Sequence, residues 1–144
     1  TYWMGDRQLG SMTSLEIAAR NAYQMAGIQR PKDELDVIEI QEVTAYHELM
    51  AYEALGLCAP GEGWRLISMG ETDFKGRIPV NPSGGALSAN PYFATGLVRV
   101  AEVALQIMGG AGKHQISGVK LGLATGSGGF ACQNSSVFIL SNQS

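Results

Sequence analysis

Val80-Asn81-Pro82-Ser83-Gly84-Gly85-Ala86-Leu87-Ser88-Ala89-Asn90-Pro91-Tyr92-Phe93-Ala94-Thr95-Gly96 runs without a break into the apolar pattern Leu97 to Met108. Two prolines, a glycine pair and a run of small residues place a close-approach loop directly before a helix N-terminus. Loops on a rigid scaffold are where α/β proteins gather functional groups. Over about Phe93 to Met108 only Arg99, Glu102 and Gln106 are strongly polar, and their spacing of three and four puts them on one narrow stripe. Apolar residues cover the rest of that helix. The pattern predicts burial on nearly all sides, as in a helix layer sandwiched between two sheets.

Working outward, Thr13-Ser14-Leu15-Glu16 fits a capping box that opens a helix ending at Gly27. Asp36 to Ile40 alternates as a short strand. Gln41-Glu42-Val43 leads into a second helix, about Thr44 to Leu55, stopped by Gly56. Cys58 to Phe74, with Pro60, Gly61, Gly63 and Gly70, reads as connection, and a short strand is expected just before the quoted loop. Val119 to Ala124 and about Ser135 to Leu140 read as strands joined by the turn Thr125-Gly126-Ser127-Gly128-Gly129. Helices alternating with strands predict an α/β layered fold.

The 144 residues are 45% hydrophobic and 16% charged, the balance of an ordinary globular domain. A net charge of −3 without any Lys/Arg run disfavours nucleic acid as a partner. Cys58 and Cys132 form neither a CxxC nor a disulfide framework, which points to reduced thiols and a cytoplasmic setting. No apolar run approaches the roughly 20 residues of a membrane span. No His/Cys/Asp cluster has zinc spacing, so no metal is expected. The chain does not begin with Met, which predicts a fragment or a processed subunit.

The stretch 80–96 resembles the signature loop of the thiolase superfamily, whose usual form is Asn-x-x-Gly-Gly, then Gly-His-Pro, then Gly-Ala-Thr-Gly. Val37-Ile38-Glu39-Ile40-Gln41-Glu42-Val43, followed by His47-Glu48-Leu49 and Glu53-Ala54-Leu55-Gly56-Leu57, is similar to the block carrying Asn-Glu-Ala-Phe in ordinary thiolases. In the sterol-carrier-protein-x and lipid-transfer-protein branch that block reads His-Asp-Cys-Phe, and Glu-Ala-Leu-Gly-Leu favours this branch. Gly126-Ser127-Gly128-Gly129 looks like the branch's Gly-x-Gly-Gly. The blocks come in family order and span about Leu15 to Leu140. The resemblance implies the C-terminal half of a five-layered αβαβα fold, with residues 1–12 as a lead-in remnant and 13–144 as the thiolase-like domain.

It also implies a function. A thiolase forms an acyl-cysteine on a nucleophile in its N-terminal half, activates it with the loop His, and holds thioester oxygens in oxyanion holes. Aligned at Pro91, Asn90 stands where the family has that His, in a segment one residue shorter than the usual Ser-Lys-Gly-His-Pro. An amide donates hydrogen bonds but is not a base. Gln41 occupies the position of the Asn or His serving one oxyanion hole. Neither Cys58 nor Cys132 sits at the second-cysteine position.

The expected function is that of a thiolase-like acyltransferase forming or cleaving carbon–carbon bonds on acyl-CoA, with coenzyme A as substrate or product and no bound cofactor. Its cleft would be shared with an N-terminal thiolase half or subunit, and the fragment alone would be inert. One alternative is an aldolase acting on a β-hydroxyacyl-CoA, with Tyr46 or Tyr92 moving the proton. Another is a non-catalytic lipid- or acyl-binding scaffold subunit. The catalytic candidates are therefore Asn90, Gln41, Tyr46 and Tyr92, with Gly84, Gly85, Gly126, Gly128 and Gly129 lining the substrate site. A homo- or hetero-oligomer is expected, and the branch allows a small zinc-ribbon and OB-fold partner. His47, His114 and both cysteines read as ordinary structural residues.

Overall fold

The computed structural model describes residues 10–129 and 132–142; of the lead-in segment, residues 1–9 lie outside that range. Helix α1 (Thr13–Ala26) ends at Gly27, whose left-handed backbone carries no Cβ penalty. Its start corrects the expected capping box: Met12 is the N-cap and no side chain caps the turn. Ser14 is engaged elsewhere, its hydroxyl 2.8 Å from Ser135 Oγ and donating to Cys132 O at 3.2 Å. After the single turn α2 (Pro31–Glu34), strand β1 (Val37–Glu39) is buried throughout. The alternation expected there gives way because helices cover both faces of a parallel strand.

Helix α3 (Ala45–Ala54) is capped by Thr44, whose hydroxyl accepts the His47 N–H. The stretch read as connection contains another helix, α4 (Gly63–Ser68), anchored by the buried Leu66. Six residues are too few to display a helical period, and the surrounding glycines mask it further. A parallel bridge pairs Val80 with Ile38, and the short α5 (Gly85–Ser88) follows.

The sheet runs β1-β2-β3, with β1 parallel to β2 (Leu121–Gly128) and β3 (Asn134–Ser141) antiparallel to it. Ile38, Leu123 and Ile139 stand side by side and face the main core, with Leu15 and Ala19 of α1 and Ala51, Tyr52 and Leu55 around α3. Val37, Ala124 and Leu140 face the other way, against Val100, Val103 and Ile107 of α6 (Thr95–Met108). The sheet is thus one layer between helices, as the α/β expectation requires.

Helix α6 departs from its expected environment. Its buried residues are Thr95, Arg99, Val103 and Gln106, so the polar stripe turns toward the sheet. Leu97 and Met108 point outward, 70% and 71% exposed. Burial on nearly all sides does not hold within this chain: Val103 and the polar residues share the sheet side, and Leu97 and Met108 on the far side lie open. A further correction concerns the glycine-rich turn. β2 continues through Thr125 to Gly128, with Gly126 opposite Ser136 and Gly128 opposite Asn134, and only Gly129 adopts a positive φ.

Candidate functional site

Gln41 lies just past the end of β1. Its main-chain N–H donates to Thr125 Oγ1 (2.9 Å), and its carboxamide pairs with the Ser127 backbone in both directions, Nε2 donating to Ser127 O and Oε1 accepting Ser127 N–H, each at 3.0 Å. The side chain imitates a peptide group and extends the β1–β2 pairing beyond Ala124. This two-point contact fixes which end of the amide is nitrogen, and one Nε2 hydrogen remains to donate.

Helix α6 reaches this point through two glycines. A Cβ on Gly96 would sit 3.1 Å from both Gln41 Oε1 and Gly126 Cα, and one on Gly126 would sit 2.8 Å from Ser136 Oγ. The close approach explains why glycines occupy a strand that reads as a turn. It also carries the loop before α6 to the edge where β1 ends. In that loop Asn90 Oδ1 accepts the Tyr92 N–H (3.0 Å) and the Thr95 hydroxyl (2.6 Å), while Tyr92 holds a left-handed backbone at φ 51°. Gln41, Asn90, Tyr92, Leu97 and the Gly126–Gly129 strand end line an open cleft of about 660 Å³. Residues 41, 90, 92, 126, 128 and 129 are therefore brought together.

Tyr46, Gly84 and Gly85 do not line this cleft. Tyr46 is 80% exposed on the first turn of α3. Gly84 and Gly85 both have positive φ, at 91° and 64°, and they serve the loop's foundation. A Cβ on Gly85 would overlap the Glu42 carboxylate and lie 2.6 Å from Asn81 Nδ2. Glu42 itself is buried, accepting from Asn81 Nδ2 (2.8 Å) and Leu87 N–H (3.0 Å), and Asn81 Oδ1 takes the Ile40 N–H (2.6 Å). Beside it, Glu39 accepts from Ser83 N–H (3.1 Å), Ser83 Oγ (2.7 Å) and Arg99 Nη1 (3.0 Å). Burial pushes the Glu39 carboxyl upward against the pull of Ser83 and Arg99. These carboxylates hold the loop from beneath.

The other titratable candidates lie off the cleft. Burial lowers His47 below its ordinary range and raises Glu48, whose carboxylate accepts the Tyr52 hydroxyl. Burial also pushes the Cys58 thiol up to about 11, leaving it protonated at neutral pH. His114 pairs with Glu102 at 2.9 Å and caps no part of the cleft. Phe93, Leu97, Ser127 and Asn134–Ser136 also line the cleft and had no signal in the sequence by themselves. The β2–β3 ladder places Asn134, Ser135 and Ser136 opposite Gly128, Ser127 and Gly126. The cleft therefore offers amide donors, hydroxyls and one phenol over an apolar rim. Among the described residues no group of His, Cys, Asp and Glu could hold a metal ion, and no helix is long and apolar enough to cross a membrane.

Comparison with known proteins gives this arrangement a context. The family described as thiolase C-terminal domain-like matches residues 3–142. Sterol carrier protein 2 of Oryctolagus cuniculus is 45% identical over 107 residues, 74% of this chain and 19% of that protein. Acetyl-CoA acetyltransferase of Methanothermobacter thermautotrophicus is 42% identical over 113 residues, 78% of this chain and 29% of that one. The chain thus spans between about a fifth and a third of the length of these relatives. A solved structure titled Ltp2-ChsH2(DUF35) aldolase superposes with a TM-score of 0.78 over 99% of this chain and 35% of that one, at 22% identity, a likeness of fold. With its sheet between helix layers, its loop footed on buried carboxylates and nearly its whole length matched, the chain belongs to the thiolase C-terminal domain-like family.

Proposed function

We propose that this chain forms one wall of an acyl-CoA cleft, completed by an N-terminal thiolase half, in a thiolase-like acyltransferase that makes or breaks carbon–carbon bonds. The observation that carries the reading is the convergence of the Gln41 and Asn90 amides on one cleft. A thioester oxygen gains negative charge when its carbonyl is attacked or its α-carbon is deprotonated. Preorganised N–H donors at that oxygen stabilise the charge, each worth roughly 10²- to 10³-fold in rate. Neither amide accepts a proton at neutral pH, so the nucleophile and base come from the other half. Coenzyme A is then substrate or product, and no cofactor is needed.

The open apolar face of α6 supports the shared-cleft reading, since Leu97 lies both on that face and on the cleft rim. A second half docked there would cover it and close the site. The relatives' greater lengths leave room for such a half in the same polypeptide or a partner subunit, within a homo- or hetero-oligomer. The two free cysteines fit a cytoplasmic protein. One observation favours the aldolase alternative: Tyr92 lines the cleft and no imidazole does. In that reading the phenol shuttles the proton of a β-hydroxyacyl-CoA, and a zinc-ribbon and OB-fold partner joins the assembly.

The deciding experiment uses the full-length polypeptide that carries this chain. CoA-dependent cleavage of a 3-ketoacyl-CoA is measured beside aldehyde or ketone release from a β-hydroxyacyl-CoA. Asn90→Ala should lower whichever activity is present by at least tenfold. Asn90→His should raise thiolysis if a reactive cysteine lies in the other half, and Tyr92→Phe should abolish release only in an aldolase. Acyl-CoA binding without turnover in either assay would establish the scaffold, and vigorous thiolysis untouched by Asn90→Ala would end the site assignment.

A further inference from the structure

The acceptor capacity of Asn90 is exhausted inside its own loop. Its Oδ1 takes the Tyr92 N–H at 3.0 Å and the Thr95 hydroxyl at 2.6 Å, and a carboxamide oxygen has two lone pairs. The Tyr92 N–H is a fixed donor, and the single Thr95 hydroxyl hydrogen is shared between Asn90 Oδ1 and Tyr92 O. A flipped amide would set its NH₂ against the backbone N–H, so the orientation is determined. Among the described residues Asn90 Nδ2 has no protein partner, and Asn90 lines the cleft. Thr95 is almost fully buried at 1% exposure, on the α6 face that packs toward the sheet. Its hydroxyl also lies 2.8 Å from Tyr92 O. One rigid helix turn thus reaches the amide that faces the cleft and the backbone of the strained residue beside it.

We propose that Thr95 is a positioning residue that locks the Asn90 carboxamide with its nitrogen toward the cleft, so that Asn90 presents donors only. The group it meets is then an acceptor oxygen on the substrate, such as a thioester carbonyl, and a group that can only donate, such as an ammonium, is refused. This rests on the function proposed above for its rate measurement, and the lock itself is tested separately. Thr95→Val keeps the shape of the side chain and removes its hydroxyl, so that the Tyr92 N–H is left as the one contact holding the amide and the carboxamide is held less firmly. Thr95→Ser restores the hydroxyl.

In the full-length protein, Thr95→Val should lower kcat about tenfold with KM changed less than twofold, and Thr95→Ser should recover most of the loss. In an Asn90→Ala background Thr95→Val should cost no further kcat, because its effect passes through the missing amide. Additive losses would overturn the proposal. The lock has its own readout in the side-chain amide resonances of Asn90. They should be dispersed in the native protein and in Thr95→Ser and move toward random-coil positions in Thr95→Val; unchanged resonances would overturn it whether or not turnover is found. Should Thr95→Val fail to fold, the exposed Asn90→Asp serves. Its carboxylate accepts the same two donors but turns an oxygen to the cleft, so kcat should fall at least as far as in Asn90→Ala. An Asp variant retaining native kcat would overturn the donor assignment.

Discussion

Helices α1 and α6 are each 14 residues long and lie on opposite faces of the same sheet, yet they solve the packing problem in opposite ways. α1 buries Leu15 and Ala19 and leaves its arginine and glutamate at the surface. α6 buries Thr95, Arg99 and Gln106 around a single valine, Val103, and leaves Leu97 and Met108 open. A helix gains little by packing polar groups inward unless each finds a partner, and these do: Thr95 on Asn90, Arg99 on Glu39 and Ser83, Gln106 on the His114 carbonyl (2.6 Å). The inversion makes sense for a helix whose second face is reserved for another layer. The α1 side is finished within this chain, and the α6 side is not.

The largest effect that would sharpen this contrast is expected at Arg99. Arg99 and Glu39 are 1% and 0% exposed at 3.0 Å, and Arg99 Nε has no protein partner among the described residues. Removing the cation by Arg99→Ala strands a buried carboxylate, at a cost of about 3–5 kcal/mol. Denaturant unfolding of the full-length protein measures it. Arg65→Ala, which breaks the exposed pair with Glu62, should cost less than about 1 kcal/mol on the same scale. A similar small loss at both positions would mean that the inward polar stripe contributes nothing to the fold.

Next comes the open face. If a second half covers it, Leu97→Ser should cost about 1.5–3 kcal/mol in the full-length protein, the value of burying a leucine side chain. Met25 is 89% exposed on α1, and if no second layer covers that helix Met25→Ser should stay within about 0.5 kcal/mol. Equal, negligible effects at the two positions would erase the distinction between the helices. A close contact of α6 with the sheet gives a smaller effect. A Cβ on Gly122 would sit 2.5 Å from Val103 Cγ1 and 2.9 Å from Val37 Cγ1, so Gly122→Ala should cost about 1–3 kcal/mol through overpacking. Gly128 has open space around it, and Gly128→Ala should be far milder.

Much of this architecture was legible in the sequence, and the failures have physical causes. Leucine and alanine periodicity located α1, Thr44 marked the start of α3, and the two C-terminal strands stood out by their β-branched and aromatic residues. The orientation of α6 was not legible, because the partner of Arg99 lies 60 residues away on β1 and periodicity carries no information about which face finds a counterion. Gly126 and Gly128 read as turn residues for want of any sign that Gly96 packs against them. The cleft members Gln41, Asn90 and Tyr92 were found through a family resemblance, since neither amide nor phenol announces chemistry alone. Tyr46 failed as a cleft residue because the first turn of α3 carries it outward.

The smallest effect concerns the finished side of the sheet, where His47 is buried at 9% exposure on α3. Desolvation holds its folded pKa below the unfolded value of 6.5. Between those two values the unfolded chain binds the proton that the folded chain refuses, so stability is intact above about 6.5 and falls as pH drops through this window. Glu39 and Glu48, both raised by burial, act with the opposite sign: their carboxyls take up protons more readily folded than unfolded, which favours the fold as pH falls. The net slope of the native protein therefore mixes the two sides of the sheet. Comparing denaturation midpoints at pH 7.5 and 5.5 in the native protein and in His47→Gln separates them, because the substitution removes only the histidine contribution. The variant should lose less stability on acidification than the native protein does. Parallel pH profiles would show that the His47 ring reaches solvent, and that the α1 side is less completely sealed than its packing indicates.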